Sequence, residues 1–132
     1  MTGDLDAGET IVQTWLAEME RCVRDVAFER CRAIFAPDVV AFGSLGERLV
    51  GLEHLERDQW RQVWPRIRDF TFDLDQLAWG GGGSTLWLAS PWISQGTSED
   101  GSTFARPGRM TAVLERRDGS WVAVHTHHSR AG

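Results

Sequence analysis

The chain has 132 residues, of which 42% are hydrophobic and 25% charged, with a formal net charge of -5 at pH 7. These values are typical of one globular domain, residues 1–132, that is long enough to bury a single core. The acidic balance argues against nucleic acid or an anionic membrane surface as a partner, because both select basic patches.

The first part of the chain predicts a cytoplasmic protein with reduced thiols. No basic and apolar leader opens the chain and no apolar run reaches membrane-spanning length, so neither export nor membrane insertion is expected. Cys22 and Cys31 are the two cysteines. Both lie in helical, partly apolar context, which predicts buried free thiols rather than a disulfide or a zinc site.

Helical patterns dominate the first half of the sequence. Apolar residues at helical spacing predict an amphipathic helix over residues 9–23. Asp25 is a candidate N-cap for a second short helix, which Pro37 and Asp38 would end. Two short strands and a third helix then follow, over residues 39–42, 48–50 and 52–64.

Strand patterns dominate the second half. Residues 70–74 alternate as a strand, and the slip in alternation at Asp75 and Gln76 predicts a bulge. After a glycine loop, residues 85–95 form the next strand, in which Pro91 marks an edge or a distortion because it cannot donate to the ladder. A long strand starts near Ser102, with a second interruption expected around Pro107.

The last hairpin is signalled by Asp118-Gly119 between two apolar runs. A two-residue turn would place Met110, Ala112 and Leu114 beside His127, His125 and Ala123. A three-residue turn with a left-handed Gly119 would instead place Arg109, Thr111 and Val113 opposite the same three residues. We favour the second register, because it gathers the polar groups on one face of the sheet.

This hairpin also carries a resemblance. The segment RMTAVLERRDGSWVAVHTHHS (residues 109–129) resembles the closing hairpin of SnoaL-like proteins in the nuclear transport factor 2-like superfamily. It is closest to the branch that includes the association domain of calcium/calmodulin-dependent protein kinase II. The shared pattern is Arg117-Asp118-Gly119 followed by Trp121, Val124, His125, His127 and Ser129.

The resemblance implies a fold, and it leaves the function open. It implies an α+β cone-shaped roll, in which the N-terminal helices pack in a strongly curved mixed or antiparallel sheet and a pocket lies at the open end. The superfamily includes isomerases, dehydratases, cyclases, transport factors and oligomerisation domains, so function must be argued from the site.

The favoured register predicts a ligand pocket on the inner face of the sheet. Its apolar part would contain Phe70, Phe72, Leu74, Leu86, Leu88, Trp92, Val113, Trp121 and Ala123. An inward arginine needs a carboxylate, a backbone carbonyl or an anion. The pocket would therefore suit a small acidic or carbonyl-bearing ligand, unless Arg109 pairs with Asp38 or Glu47. The expected ligand-binding residues are Trp15, Trp60, Trp64, Trp92, Arg109, Thr111, His125 and His127.

The outer face predicts a partner subunit. A lone antiparallel sheet normally carries polar residues on its outer face. An apolar outer face here would exceed what a monomer usually exposes, which predicts a two-fold homodimer. The residues assigned to this interface are Trp87, Ala89, Met110, Ala112, Leu114, Val122 and Val124.

Catalysis, metal binding and assembly are the remaining readings. Ketosteroid isomerase and scytalone dehydratase combine a base with donors to a developing oxyanion, but this chain has no tyrosine to serve as a donor. A cofactor-free isomerase or dehydratase would use His127, Arg109 and Asp38. His125 and His127 lack a third ligand, so no metal and no cofactor is expected. We favour a small-molecule-binding homodimer over such an enzyme or an oligomerisation module like the kinase association domain.

Overall fold

The structure is a computed structural model that describes the backbone of residues 2–131 and the side chains of residues 7–131. The fold consists of one sheet of seven strands, with helices on its concave side. In chain order, the elements are α1 (Thr2–Asp25), α2 (Phe28–Arg32), β1 (Phe35–Phe42), β2 (Arg48–Val50), α3 (Leu52–Leu55), a π-helix (Glu56–Trp60), α4 (Arg61–Val63), a 3-10 helix (Trp64–Arg66), β3 (Ile67–Phe72), a second 3-10 helix (Leu74–Gln76), β4 (Ala78–Gly82), β5 (Thr85–Thr97), β6 (Thr103–Arg117) and β7 (Ser120–Arg130).

The sheet is mixed and does not close. Its strand order is β2-β1-β7-β6-β5-β3, and β4 pairs with β5 further along that strand. The β1–β7 pair is parallel, and the other pairs are antiparallel. Val12, Leu16 and Met19 of α1 are buried against the concave face. This arrangement confirms the predicted α+β cone.

Register shifts accompany the curvature of the sheet. They lie between Arg68 and Thr71 of β3, between Phe35 and Val40 of β1, and between Val113 and Leu114 of β6. Such irregularities bend a strand and increase its twist. The bulge predicted at Asp75 and Gln76 is wrong, because those residues form a 3-10 helix.

The two prolines of the long strands behave differently. Residues 85–89 of β5 pair with β4, and residues 92–96 pair with β3. Pro91 lies between these two parts of the strand. The predicted local edge at Pro91 is therefore confirmed. The interruption predicted at Pro107 is wrong, because β6 pairs continuously with β5 past that residue.

The N-terminal boundaries also differ from the prediction. The first helix begins at Thr2 rather than residue 9, and Asp25 is its last residue instead of an N-cap. Val26 has a φ of 51°, which turns the chain before α2. Pro37 and Asp38 lie within β1 and do not end a helix. Phe35, the first residue of that strand, is buried, and its ring packs 5.6 Å from Trp15, measured between centroids.

The third helical segment is longer and less regular than predicted. It continues to Arg66, and residues 56–60 form a π-helix instead of an α-helix. Short π-helical segments within α-helices are rare and frequently occur at functional sites. Two consecutive residues of this segment, Gln59 and Trp60, are both buried.

The last hairpin closes with a two-residue turn, so the favoured three-residue turn is wrong. Arg117 pairs with Ser120, and Asp118 and Gly119 have φ values of 51° and 81°. These are the positive values that a type I′ turn requires. An extra residue, Val124, then shifts the register, which places His125, His127 and His128 opposite Val113, Thr111 and Met110.

Alternation along β5 and β6 and the bulge at Val124 in β7 together determine which side chains of these strands enter the core. Met110, Ala112, Leu114 and Ala123 are buried, together with the predicted Phe70, Phe72, Leu86, Leu88 and Trp92. Three residues predicted to be inside are not part of this set. Leu74 is exposed, Val113 lies on the outer face, and Trp121 is only partly buried.

The thiols of Cys22 and Cys31 are buried and free, as predicted. Within the described part of the chain, no helix is both long enough and apolar enough to cross a membrane.

Candidate functional site

A cavity lies inside the cone, between α1, the helical segment of residues 52–66, and strands β5, β6 and β7. Its volume is about 30 Å³. Pockets for drug-sized ligands measure roughly 300–1,000 Å³, so this cavity is far too small for such a ligand. Its polar lining consists of Ser44, Gln59, Trp92, Arg106, Thr126 and His128.

Arg106 is the charged group at the centre of this lining. It lies opposite Ser94 in the β5–β6 ladder and is 8% exposed. Its Nη1 donates to Ser94 Oγ at 3.4 Å and its Nη2 donates to Ser44 Oγ at 3.2 Å. Its guanidinium carbon lies 5.2 Å from the centre of the Trp92 ring. No carboxylate of the described residues forms an ion pair with it.

Burial lowers the pKa of the Arg106 guanidinium from its ordinary value, and the positive charge of Arg130 lowers it further. Arginine stays protonated in proteins despite such shifts. The cavity wall therefore holds a desolvated positive charge whose partners are two hydroxyl groups and one aromatic ring.

Gln59 reaches the cavity from the π-helix. Its Nε2 donates to Ser44 Oγ at 2.8 Å, which links it to Arg106 through a shared hydroxyl. A Cβ atom at Gly43 would overlap the Gln59 amide, so glycine is needed for this close approach. Gln59 Oε1 is buried and has no hydrogen-bond partner among the described residues. A buried acceptor of this kind costs free energy unless a ligand or a water donates to it.

Trp92 forms a second wall of the cavity. Its ring lies against the backbone of Gly108, where a Cβ atom would overlap it. It also packs 5.3 Å from the Phe70 ring, measured between centroids. The indole Nε1 is buried and donates to no acceptor among the described residues.

His128 is the titratable base of the cavity. Its ring centroid lies 6.2 Å from that of Trp92. Burial lowers the pKa of His128 to about 4, and the charges of Arg106 and His127 add to this shift. The imidazole is therefore neutral at pH 7, so it offers one donor and one acceptor rather than a charge.

The predicted tryptophans divide between the cavity and the core. Trp60 and Trp64 line the cavity and stack on each other at 4.8 Å between centroids. Trp15 does not line it, because its indole Nε1 donates to the Ile34 carbonyl at 2.9 Å beneath α1.

The other predicted site residues lie outside the cavity, so their assignment to the inner face is wrong. Arg109 and Thr111 occupy the outer face because they alternate along β6 with the buried Met110 and Ala112. His125 and His127 occupy it because of the register shift at Val124. Arg109 Nε donates to Ser129 Oγ at 3.3 Å, and His125 Nδ1 lies 2.8 Å from the Val40 carbonyl oxygen.

Asp38 also has a different environment from the one predicted. Its carboxylate is exposed and accepts from Arg117 Nη1 at 2.7 Å. That hydrogen bond lowers the pKa of Asp38. Neither Arg109 nor a cavity residue contacts this carboxylate among the contacts described.

Sequence reasoning missed Ser44, Gln59, Arg106 and His128. Arg106 could have been found from the buried face of β5, which was predicted correctly, because β6 pairs with that strand. Pairing across the turn after β5 brings Arg106 opposite Ser94, on the same face as Trp92. Gln59 had no comparable signal, because a π-helix cannot be read from side-chain spacing. In the described residues, no group of three or more His, Cys, Asp and Glu side chains could hold a metal ion.

The open, curved sheet around α1, with a cavity inside the cone, defines a nuclear transport factor 2-like fold. A protein of this superfamily from Salmonella enterica serovar Typhimurium superposes with a TM-score of 0.82 at 16% identity, covering 97% of this chain and 94% of that one. The association domain of C. elegans CaMKII superposes with a TM-score of 0.75 at 17% identity, covering 98% and 99%.

A ketosteroid isomerase-like protein from Erwinia carotovora gives a TM-score of 0.80 at 13% identity and covers 93% of this chain and 95% of that chain. No curated protein sequence matches this chain. The family model of the SnoaL-like domain matches residues 12–131. The chain therefore belongs to the SnoaL-like family.

Proposed function

We propose that this protein is a small-molecule-binding homodimer whose cone cavity holds a small acidic or carbonyl-bearing ligand at Arg106. The observation that carries the proposal is the buried guanidinium, which has no carboxylate partner among the described residues. Transferring a charged side chain from water to the protein interior costs roughly several kcal/mol, unless a counter-charge or good hydrogen bonds replace its contacts with water. A bound anion would offset that cost.

The geometry of arginine supports an acidic ligand. A guanidinium presents five donors in a planar fork that matches carboxylate oxygens. Among the described residues, the Arg106 side chain donates two hydrogen bonds, both to serine hydroxyls. The neighbouring His128 is neutral at pH 7 because its pKa is about 4. Charge balance in the cavity therefore favours a single negative charge on the ligand.

The same groups support binding over catalysis. A general base is most effective when its pKa lies near the working pH, and a pKa of about 4 makes His128 a weak base at neutral pH. Among the described residues, no carboxylate lines the cavity. An isomerase or dehydratase here would have to use His128 and Arg106 in the roles first predicted for His127 and Arg109.

The outer face of the sheet supports the homodimer. Trp87 and Ile93 of β5 are 47% and 52% exposed, although both are large and apolar. Trp87 pairs with Val113, and Val113 pairs with His125, so one row crosses the centre of this face. Val122 and Val124 are partly exposed, whereas Met110, Ala112 and Leu114 are buried in the core and cannot form the interface first predicted for them.

Ligand binding can be tested by titrating acetate into the wild type, Arg106→Gln and Arg109→Gln while recording thermal unfolding. A ligand that binds the folded state raises the midpoint. We expect acetate to stabilise the wild type and Arg109→Gln, but not Arg106→Gln. The two variants carry the same substitution on opposite faces of β6. Equal behaviour of all three proteins would contradict the proposed site.

The dimer can be tested separately by light scattering after size exclusion. Trp87→Glu places a charge in the centre of the outer face, and we expect it to convert the dimer into a monomer. Leu74→Glu is the matched control, because Leu74 is also 47% exposed but lies in the 3-10 helix away from that face. A monomeric wild type would contradict this part of the proposal.

A further inference from the structure

We propose that the turn between β1 and β2 (residues 43–47) is a lid over the cone cavity, and that the Ser44 hydroxyl holds it closed. A ligand would reach Arg106 only after this turn moves away from the helical segment of residues 52–66. The inference rests on the proposed function, in which Arg106 binds a small acid, and it adds how that acid gains access to the site.

The cavity beneath the closed turn is too small for an acid. Its volume of about 30 Å³ corresponds to the space of about one or two water molecules. Arg106, in the wall of this cavity, is 8% exposed. Because even acetate is larger than this space, a wall segment has to move before an acid can bind beside the guanidinium.

A single side chain attaches the β1–β2 turn to the other walls of the cavity. Ser44 Oγ accepts from Gln59 Nε2 at 2.8 Å and from Arg106 Nη2 at 3.2 Å. Among the described residues, these are the hydrogen bonds that join the turn to elements other than its own hairpin. Loss of the Ser44 contacts would therefore release the turn from both the π-helix and β6.

The turn also has little buried surface to hold it in place. Leu45, at its tip, is 59% exposed, and Gly46 and Glu47 are exposed as well. A Cβ atom at Gly46 would meet no atom of the described residues within 4 Å. Gly43 is the exception, because its backbone lies against the Gln59 amide. Segments with so few buried contacts open locally at a low cost in free energy.

The turn lies between the cavity and a hollow on the surface of the protein. Ser44 lines the cavity, whereas Leu45 and Glu47 line the hollow, whose volume is about 270 Å³. Gln59 lines both spaces. Outward movement of the turn would therefore join the two spaces and make the Arg106 guanidinium accessible.

The charges outside the turn favour an acid at Arg106 over an acid in the hollow. Glu47 and Asp58 line the hollow, and Asp58 forms ion pairs with Arg57 and His54. These carboxylates repel an anion, whereas the guanidinium behind the turn attracts it. The hollow therefore serves as the entrance, and the acid binds where the turn has moved away from Arg106.

The Ser44→Ala variant tests the lid through its affinity for acetate. If acetate binds only the open arrangement, its apparent dissociation constant depends on the fraction of molecules in which the turn is open. Removing the Ser44 hydroxyl removes hydrogen bonds that favour the closed turn. We therefore expect acetate to bind Ser44→Ala about 3- to 10-fold more tightly than the wild type, measured by NMR titration.

Ser129→Ala is the matched control for this variant. The Ser129 hydroxyl also accepts from an arginine, because Arg109 Nε donates to it at 3.3 Å, but the pair lies on the outer face of the sheet. We expect this variant to bind acetate with the affinity of the wild type.

A second variant separates release of the turn from release of the guanidinium. Ser94 Oγ also accepts from Arg106, at 3.4 Å, but Ser94 lies on β5 and not in the turn. If free donors on Arg106 alone controlled the affinity, Ser94→Ala and Ser44→Ala would gain equally. We expect Ser94→Ala to gain less, because its turn stays attached through Ser44.

The spectrum of the wild type provides an independent measurement. Acetate should shift the backbone amide signals of Leu45 and Gly46 in a proton–nitrogen NMR spectrum, because the turn moves when the acid binds. The side-chain amide signal of Gln59 should shift as well, since it loses its contact with Ser44. The amide signal of Leu74, which is exposed in the second 3-10 helix, should stay in place.

The outcomes distinguish the lid from the proposed function. Failure of acetate to bind either the wild type or Ser44→Ala overturns the proposed function. Equal affinity of these two proteins, or an equal gain in Ser94→Ala, overturns the lid and leaves the anion site intact. If Ser44→Ala does not fold, the wild type decides: Leu45 and Gly46 signals that stay unchanged at saturating acetate overturn the lid.

Discussion

The protein buries two charged side chains among its described residues, and they differ in what surrounds them. Glu56, in the π-helix, is 5% exposed, and its two carboxylate oxygens accept from Arg32 Nε at 2.5 Å and Arg61 Nε at 2.8 Å. Arg106, on β6, is 8% exposed and has two serine hydroxyls as hydrogen-bond partners.

The difference separates a structural charge from a binding charge. The cost of burying Glu56 is offset within the protein, because two guanidinium groups from α2 and α4 hold it. The cost of burying Arg106 is only partly offset within the protein, so an anion that binds beside it would offset the remainder. The π-helix that carries Glu56 also carries Gln59, which lines the cavity together with Arg106.

The largest effect is expected from disturbing the wall beside Arg106. Gly108→Ala places a methyl group where the Trp92 ring lies, so we expect a loss of about 2–3 kcal/mol in unfolding free energy and loss of acetate binding. Urea unfolding measures the first effect. Gly82→Ala is the control, because no atom lies within 4 Å of its added Cβ. Similar stability of Gly108→Ala and Gly82→Ala would contradict the packing described for Trp92.

Neutralising the buried carboxylate of Glu56 is expected to have the next largest effect on stability. We expect Glu56→Gln to lower the unfolding free energy by about 2 kcal/mol, because two charge-assisted hydrogen bonds are weakened in a buried position. Acetate binding should stay close to that of the wild type. Glu53→Gln, an exposed change in α3, should have little effect on stability. If Glu56→Gln weakened acetate binding by more free energy than it removed from unfolding, Glu56 would act on the cavity.

The same charge predicts a pH dependence. The hydrogen bond from Arg32 lowers the pKa of Glu56 below its ordinary value of 4.5, and Arg61 contributes further. The stabilisation is therefore complete above the unfolded-state pKa and is lost as pH falls through the folded-state pKa. Unfolding of the wild type and Glu56→Gln across this acidic range should converge at the lowest pH. A constant difference would contradict the assignment.

Removing the uncompensated charge should have a small effect on stability. Arg106→Gln relieves the desolvation of a cation and loses two long hydrogen bonds, so we expect its unfolding free energy to stay within about 1 kcal/mol of the wild type. The unfolding free energies of the two proteins should be measured in a buffer free of small carboxylates. A loss as large as that of Glu56→Gln would mean that Arg106 is structural.

The smallest effect at neutral pH concerns His128. Its folded-state pKa of about 4 lies below the ordinary value of 6.5, so protonation of the unfolded chain costs stability as pH falls from 6.5 toward 4. His128→Asn should remove this slope. Bound acetate should raise the pKa of His128, which a histidine ring titration by NMR measures. An unchanged pKa would contradict an anion beside this ring.

The sequence predicted the fold because its strongest signals are local. The Asp118-Gly119 pair predicts the last hairpin. The alternation of Leu86, Leu88 and Trp92 predicts the buried face of β5. The helical spacing of Trp15, Leu16 and Met19 predicts the buried face of α1. Each signal depends on a few neighbouring residues, so each could be read before the chain is folded.

The site could not be read in the same way. One extra residue in β7, Val124, moved His125 and His127 to the outer face and brought His128 inside. Arg109 and Thr111 face outward because they alternate along β6 with buried residues. A strand has a side-chain period of two, so a shift of one residue exchanges the faces. The π-helix that carries Gln59 and the close contact of Gln59 with Gly43 depend on segments that are distant in the sequence.

The sequence by itself therefore determined the order of helices and strands, the amphipathic first helix and the buried face of β5, because periodicity and turn chemistry act over a few residues. Only the tertiary structure decided that Arg106 enters the cavity while Arg109 faces outward. It also decided that Glu56 meets two arginines and Arg106 meets no carboxylate among the described residues. The physical reason is that pairing of a buried charge depends on which distant segments the curved sheet brings together.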